Sequence, residues 1–230
     1  MTMIAANLQT VQERIASACR AAGRLPQEVR LLAVSKTIDP QGVAQAFDAG
    51  QRAFGENYIQ EAVEKMVLLQ QLPIEWHCIG PVQSNKTRLV AQHFAWLHTL
   101  ERFKIAQRLA EQRPDGLPPL QVCIQVNVDG GATKSGVPPR EALALAQAVA
   151  QLPRLQLRGL MCIPEPAPDF ETALGVFKRA RDLFEELREQ GLPLDTLSMG
   201  MTDDLEAAIH AGSTLVRVGT AIFGRRHAQG

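Results

Sequence analysis

Hydrophobic positions along the chain alternate between two spacings. Ile4, Leu8, Val11, Ile15 and Ala18 recur at three- and four-residue steps, which predicts a lead-in helix with one apolar stripe, ended by Gly23. Residues 31–34 then form a short uninterrupted apolar run, as expected of a strand covered on both faces. Asp39 and Pro40 supply an N-cap and a first-turn proline for the next helix, and Gly50 closes it.

This unit repeats. Strand-like runs fall at 31–34, 52–54, 76–79, 95–99, 120–128, 155–163, 194–198 and 214–218, with helical stripes between them such as Ile59, Val63, Met66 and Leu174, Phe177, Leu183, Leu187. Strands that alternate with helices pair in parallel, and eight of them can close a barrel where an open sheet of this length would more often hold five or six. The predicted fold class is α/β, a (β/α)8 TIM barrel with an extra N-terminal helix. No Gly/Ser linker or low-complexity stretch divides the chain, so residues 1–230 are expected to form one domain with no C-terminal β domain.

Composition narrows the classes of function. The 24 basic and 24 acidic residues cancel, so no net field favours nucleic acid or an anionic membrane, and any anion must be held locally. Cys19, Cys78, Cys123 and Cys162 form no CxxC pair and no zinc spacing, so they read as reduced core residues and no metal is expected. Without a basic leader or a stretch of about 20 apolar residues, a cytoplasmic protein is expected.

Barrels of this kind carry their chemistry at the carboxyl ends of the strands. Lys36 ends the first strand, where a desolvated mouth would favour a neutral, nucleophilic amine able to condense with an aldehyde; an ion pair is the competing fate. Ser198, Met199, Gly200 and Met201 after the seventh strand, with Gly219, Thr220 and Ala221 after the eighth, read as a phosphate cradle of glycines, hydroxyls and free amides. The alternative is ordinary turn chemistry, with Thr202 capping a helix that carries Asp203 and Asp204. Arg217 alternates inward between Val216 and Val218, toward a phosphate, a heteroaromatic nitrogen or Glu56. Asn57, Tyr58, His77 and Met161 lie near the mouth as possible ligand contacts, His77 equally as a core histidine. Lys134 sits in the loop after the fifth strand, either as a surface lysine or in a secondary role.

The segments 33–37, 54–58, 76–86, 198–204 and 216–224, taken in order, resemble the pyridoxal phosphate homeostasis protein family, whose barrel is similar to the alanine racemase N-terminal domain. The resemblance covers nearly the whole chain. It implies pyridoxal 5′-phosphate (PLP) as a Schiff base on Lys36, with the phosphate near Ser198, Gly200, Met201, Gly219 and Thr220 and further contacts from Asn57 and Arg217. Whether Arg217 meets the phosphate or the pyridine nitrogen stays open, and Lys134 resembles a second lysine that handles PLP. Cys78 and Thr202 are conservative departures from the family pattern. The implied function is PLP homeostasis and cofactor supply without a substantial catalytic cycle, the partners being PLP and apo PLP-dependent enzymes and the state a monomer. A single-domain amino-acid racemase is the alternative, and a barrel aldolase with a Schiff-base lysine is another. A racemase would need acid–base groups, a carboxylate site and water exclusion, which a chain ending about ten residues after its eighth strand supplies thinly.

Overall fold

The computed structural model describes residues 2–131 and 135–224. Helix α1 (Met3–Ala21) leads into β1 (Arg30–Val34), α2 (Pro40–Asp48), β2 (Ala53–Glu56), α3 (Ile59–Leu68), β3 (Glu75–Cys78), α4 (Thr87–His93), β4 (Trp96–Leu100) and α5 (Phe103–Gln112). The chain continues through β5 (Leu120–Gln125), α6 (Pro139–Ala150), β6 (Leu155–Met161), α7 (Phe170–Glu189), β7 (Thr196–Ser198), α8 (Leu205–His210), β8 (Leu215–Val218) and α9 (Thr220–Phe223). The strands pair in sequence order, all parallel, and β8 returns to β1 with Leu32 opposite Arg217 and Ala33 opposite Val218. The predicted closed eight-stranded barrel is therefore the observed one.

Local chemistry sets the element ends as the sequence suggests. Asp39 caps α2 by accepting a 2.7 Å bond from the Gly42 amide, with Pro40 at the first turn. Gly23 and Gly50 follow their helices with φ of +68° and +105°, a region glycine enters without strain. The stripe of α1 buries Leu8, Val11, Ile15 and Ala18, and its polar flank ties it to the barrel through Arg14 on Glu206 and Asn7 on the Ile222 carbonyl. Strand β5 is shorter than its apolar run: it leaves the sheet after Gln125, and only Val126 bridges onward, to Val137.

Most buried apolar side chains lie between the outer face of the sheet and the helices. Inside the barrel are two smaller apolar groups, Leu32, Ala53, Ile79 and Leu215 on one side and Trp96, Cys123 and Met161 on the other. A run of polar side chains, from Glu75 through His77, His98 and Ser198 to Arg217, shares that interior.

Candidate functional site

Lys36 stands two residues beyond β1 and is exposed, not desolvated as its apolar strand suggests. Strand β1 ends at Val34, and the chain then turns through Thr37, whose φ is +63°. A β-branched residue in that region is strained, at a cost of about 1–3 kcal/mol, so the neighbours must hold it. They hold both flanks of the lysine. Ser35 donates from its hydroxyl to Glu56 Oε1 at 2.8 Å, and its carbonyl accepts from Lys65 Nζ at 2.9 Å. The Thr37 amide donates to Glu61 Oε1 at 3.1 Å. Lys36 itself makes no hydrogen bond or ion pair among the described residues, so the ion-pair alternative has no partner there.

Behind this clamp Lys65 Nζ and Glu56 Oε1 form a 2.6 Å ion pair, with only 4% and 0% of the two side chains exposed. Burial pushes the Glu56 carboxyl above its ordinary range, and the hydrogen bond and charge of Lys65 oppose that shift. Glu56 is therefore spoken for by Lys65, which removes it as the partner of Arg217. Its neighbour Asn57 carries a buried side-chain oxygen with no hydrogen-bond partner among the described residues. Gly80 makes this packing possible, because a Cβ there would sit 2.1 Å from the Asn57 carbonyl oxygen.

On β8, the strand next to β1, Arg217 is 3% exposed and places its guanidinium 2.7 Å from Ser198 Oγ and 3.0 Å from the Cys162 carbonyl. No carboxylate lies within ion-pair distance of it among the described residues. The turn after β7 has Gly200 at φ +98°, its carbonyl taken by the Arg217 amide at 2.9 Å. The Met201 amide is engaged by Asp204 Oδ1 at 2.7 Å, so a carboxylate already occupies one donor of the expected cradle. Helix α8 starts at Leu205 with Asp204 in the N-cap position, and the expected Thr202 cap is not formed. After β8, Gly219 runs close to β1, where a Cβ would lie 3.2 Å from the Val34 carbonyl. Helix α9 then begins at Thr220, whose amide and that of Ala221 have no acceptor within the helix, as in any first turn.

Two of the expected contacts lie deeper. Met161 is fully buried against Trp96 and Cys123, and His77 is fully buried with its ring stacked on Trp96 at 5.2 Å. Both ring nitrogens of His77 have partners, His98 and Glu75, as the core reading of this histidine expects. The hydroxyl of Ser198 is likewise fully buried and committed to Arg217 and His98. Lys134 lies outside the described residues. Above the barrel are a cleft of about 270 Å³ lined by Asn57, Ile79, Thr99 and Gln125 and one of about 430 Å³ lined by Pro164, Phe170, Met201 and Asp203. Among the described residues no group of three His, Cys, Asp or Glu side chains is arranged to hold a metal ion, and no helix is long and apolar enough to cross a membrane.

Sequence reasoning passed over Lys65, Glu61, Glu75 and His98. A lysine one position from the apolar stripe of Ile59, Ala62 and Met66 was the available signal for Lys65.

Residues 4–227 match the family described as alanine racemase, N-terminal domain. A pyridoxal phosphate homeostasis protein of Pseudomonas aeruginosa PAO1 is 58% identical over 98% of this chain and 97% of its own length. The chain belongs to the pyridoxal phosphate homeostasis protein family. The relative of the same description in Escherichia coli K12 is 53% identical over 98% of both chains. Among solved structures, PipY of Synechococcus elongatus PCC7942 with PLP bound superposes with a TM-score of 0.84 at 36% identity, over 96% of this chain and 100% of that one. Family membership fits a mouth that presents an uncommitted lysine after β1 and, on the neighbouring β8, a buried guanidinium with no carboxylate in ion-pair distance among the described residues.

Proposed function

We propose that this protein binds PLP, holds it on Lys36 and serves intracellular PLP homeostasis and cofactor supply, as a cytoplasmic monomer with residues 1–230 acting as one cofactor-binding barrel. The observation that carries this reading is the pairing of an exposed, unpartnered Lys36 amine with a fixed backbone and a buried Arg217 that lacks a carboxylate. A phosphorylated heteroaromatic aldehyde fits both. Lys36 Nζ would condense with the aldehyde carbon, forming a C=N bond and releasing one water. Arg217 and the amides of Gly219, Thr220 and Ala221 would face the anionic and ring-nitrogen groups, and the orphaned oxygen of Asn57 would accept from a polar group of the ring. When bound, PLP supplies a reactive, reversible aldehyde. The PLP-bound state of PipY and the homeostasis names of the relatives support this assignment.

Exposure of Lys36 suits exchange, because water and an acceptor amine can reach the linkage. Release to apo PLP-dependent enzymes follows from the same chemistry run backwards, and this reading assigns no turnover to the chain; Lys134 is proposed as a secondary PLP-handling lysine. The test is an absorbance spectrum of the purified protein with PLP, then borohydride reduction and peptide mapping. A visible imine band and a pyridoxyl group on the Lys36 peptide are expected, both lost in Lys36→Ala. A pyridoxyl group trapped only on another residue, or no band, refutes the assignment.

A further inference from the structure

The polar side chains inside the barrel make one continuous chain. Arg217 Nη1 donates to Ser198 Oγ at 2.7 Å, and Ser198 Oγ lies 2.8 Å from His98 Nδ1. His98 Nε2 lies 2.8 Å from His77 Nδ1, and His77 Nε2 lies 2.7 Å from Glu75 Oε1. Arg30 Nη2 closes the far end on Glu75 at 2.7 Å, where both side chains reach solvent on the face opposite the mouth. His77, His98, Ser198 and Arg217 are 3% exposed or less.

The proton positions follow from the two ends. Arginine only donates and an ionised carboxylate only accepts. With both imidazoles neutral, one arrangement satisfies every atom: the Ser198 hydroxyl donates to His98 Nδ1, His98 Nε2–H to His77 Nδ1, and His77 Nε2–H to Glu75. Burial disfavours the charged form of both histidines, more strongly for His98, which also faces the cations Arg217 and Arg30; Glu75 acts in the opposite sense on His77. The hydrogen bond from His77, with the hydrogen bond and charge of Arg30, lowers the Glu75 carboxyl to about 2 against its partial burial, so it remains an acceptor.

We propose that Glu75, His77, His98 and Ser198 are positioning residues for Arg217: a one-way hydrogen-bond chain that aims the guanidinium at the mouth and joins its charge to the carboxylate at the opposite opening. A buried guanidinium without a direct carboxylate needs such compensation. A chain of aligned donors polarises along its length, so the terminal carboxylate is felt at Arg217 through three intervening side chains. The functional half of this inference rests on the PLP reading above, since it is PLP that Arg217 would meet.

Nitrogen-15 NMR of the histidine rings in the cofactor-free wild-type protein tests the chain independently of PLP and of any variant. His77 and His98 are expected as neutral rings protonated on Nε2 between pH 6 and 8. A charged ring, or His98 protonated on Nδ1, overturns the inference. Glu75→Gln replaces a pure acceptor with a group that can also donate, and is expected to give a mixture of tautomers at His98; an unchanged single tautomer overturns the one-way ordering. For the functional half, Ser198→Ala is expected to weaken PLP binding about tenfold, and Ser198→Thr, which keeps the hydroxyl, to restore it to within about twofold. Equal affinities for Ala, Thr and wild type overturn the positioning role. Failure of the wild type to bind PLP at all would instead count against the proposed function.

Discussion

Replacing Lys65 with methionine tests whether the ion pair behind Lys36 is structural and how it reaches the site. Glu56 is fully buried, and Lys65 Nζ at 2.6 Å is its countercharge. Methionine of similar length leaves the Glu56 carboxylate unpaired, with Oε2 already lacking a hydrogen bond. Breaking one side of such a buried pair costs about 3–5 kcal/mol, which at roughly 2–4 °C per kcal/mol for a chain of this size lowers Tm by about 6–20 °C. The dependence on pH has a definite sign. Burial raises the Glu56 carboxyl above its unfolded value, so the folded state holds the proton more tightly, and stability falls as pH rises from the unfolded value toward the folded one. Removing Lys65 raises the folded value further, so Lys65→Met should cost less at pH 5 than at pH 8. Replacing both partners, Glu56→Leu with Lys65→Met, removes the stranded charge and should recover most of the loss. Thermal and denaturant unfolding of the three proteins, wild type and both variants, at both pH values decides the matter. An equal cost at pH 5 and pH 8, with no recovery in the double variant, would refute the reasoning. Because Lys65 also binds the Ser35 carbonyl, the single variant should form less of the Lys36 linkage at a given PLP concentration.

Gly80→Ala would set a methyl 2.1 Å from the Asn57 carbonyl oxygen, forcing the turn after β2 to move. Overpacking of this kind costs about 1–3 kcal/mol, and PLP titration should show weaker binding; wild-type affinity would mean that Asn57 does not contribute. All four cysteines are buried, and burial drives the thiols of Cys78, Cys123 and Cys162 up to about 12. A disulfide reagent should therefore label none of them in the native protein at pH 8 and all four in guanidinium chloride, and rapid native labelling would contradict the packing.

The order of the eight strands was legible because each apolar run is short and each is followed by a helical stripe. The end of β5 was not. Val126 and Val128 are as buried as strand residues, yet the chain turns there, with Asn127 accepting from the Gly130 amide and donating to the Gly131 carbonyl. A buried turn and a buried strand carry the same hydrophobic signal. The position of Lys36 just past β1 was legible, but its exposure depends on where β1 stops pairing, which a single strand does not reveal. Lys65 with Glu56, and His98 with Ser198, are contacts between separate elements, nine and a hundred residues apart in sequence.

The interior chain was hidden for a different reason. In β3 the residues Glu75, Trp76, His77 and Cys78 alternate polar and apolar, and so do Val216, Arg217 and Val218 in β8. In an open sheet with one wet face this period of two places the polar side toward water. Closure reverses it. Trp76, Cys78, Val216 and Val218 pack outward with the helices, while Glu75, His77 and Arg217 turn to the barrel axis and are joined across it through His98 and Ser198. The alternation is visible in the sequence, but its sense depends on whether the sheet closes, so the polar core follows from topology and pattern taken together. Barrel interiors are usually filled by branched apolar side chains. A hydrogen-bonded chain of polar residues here must be fully satisfied to be tolerated, and its mouth end is the arginine proposed to face the cofactor.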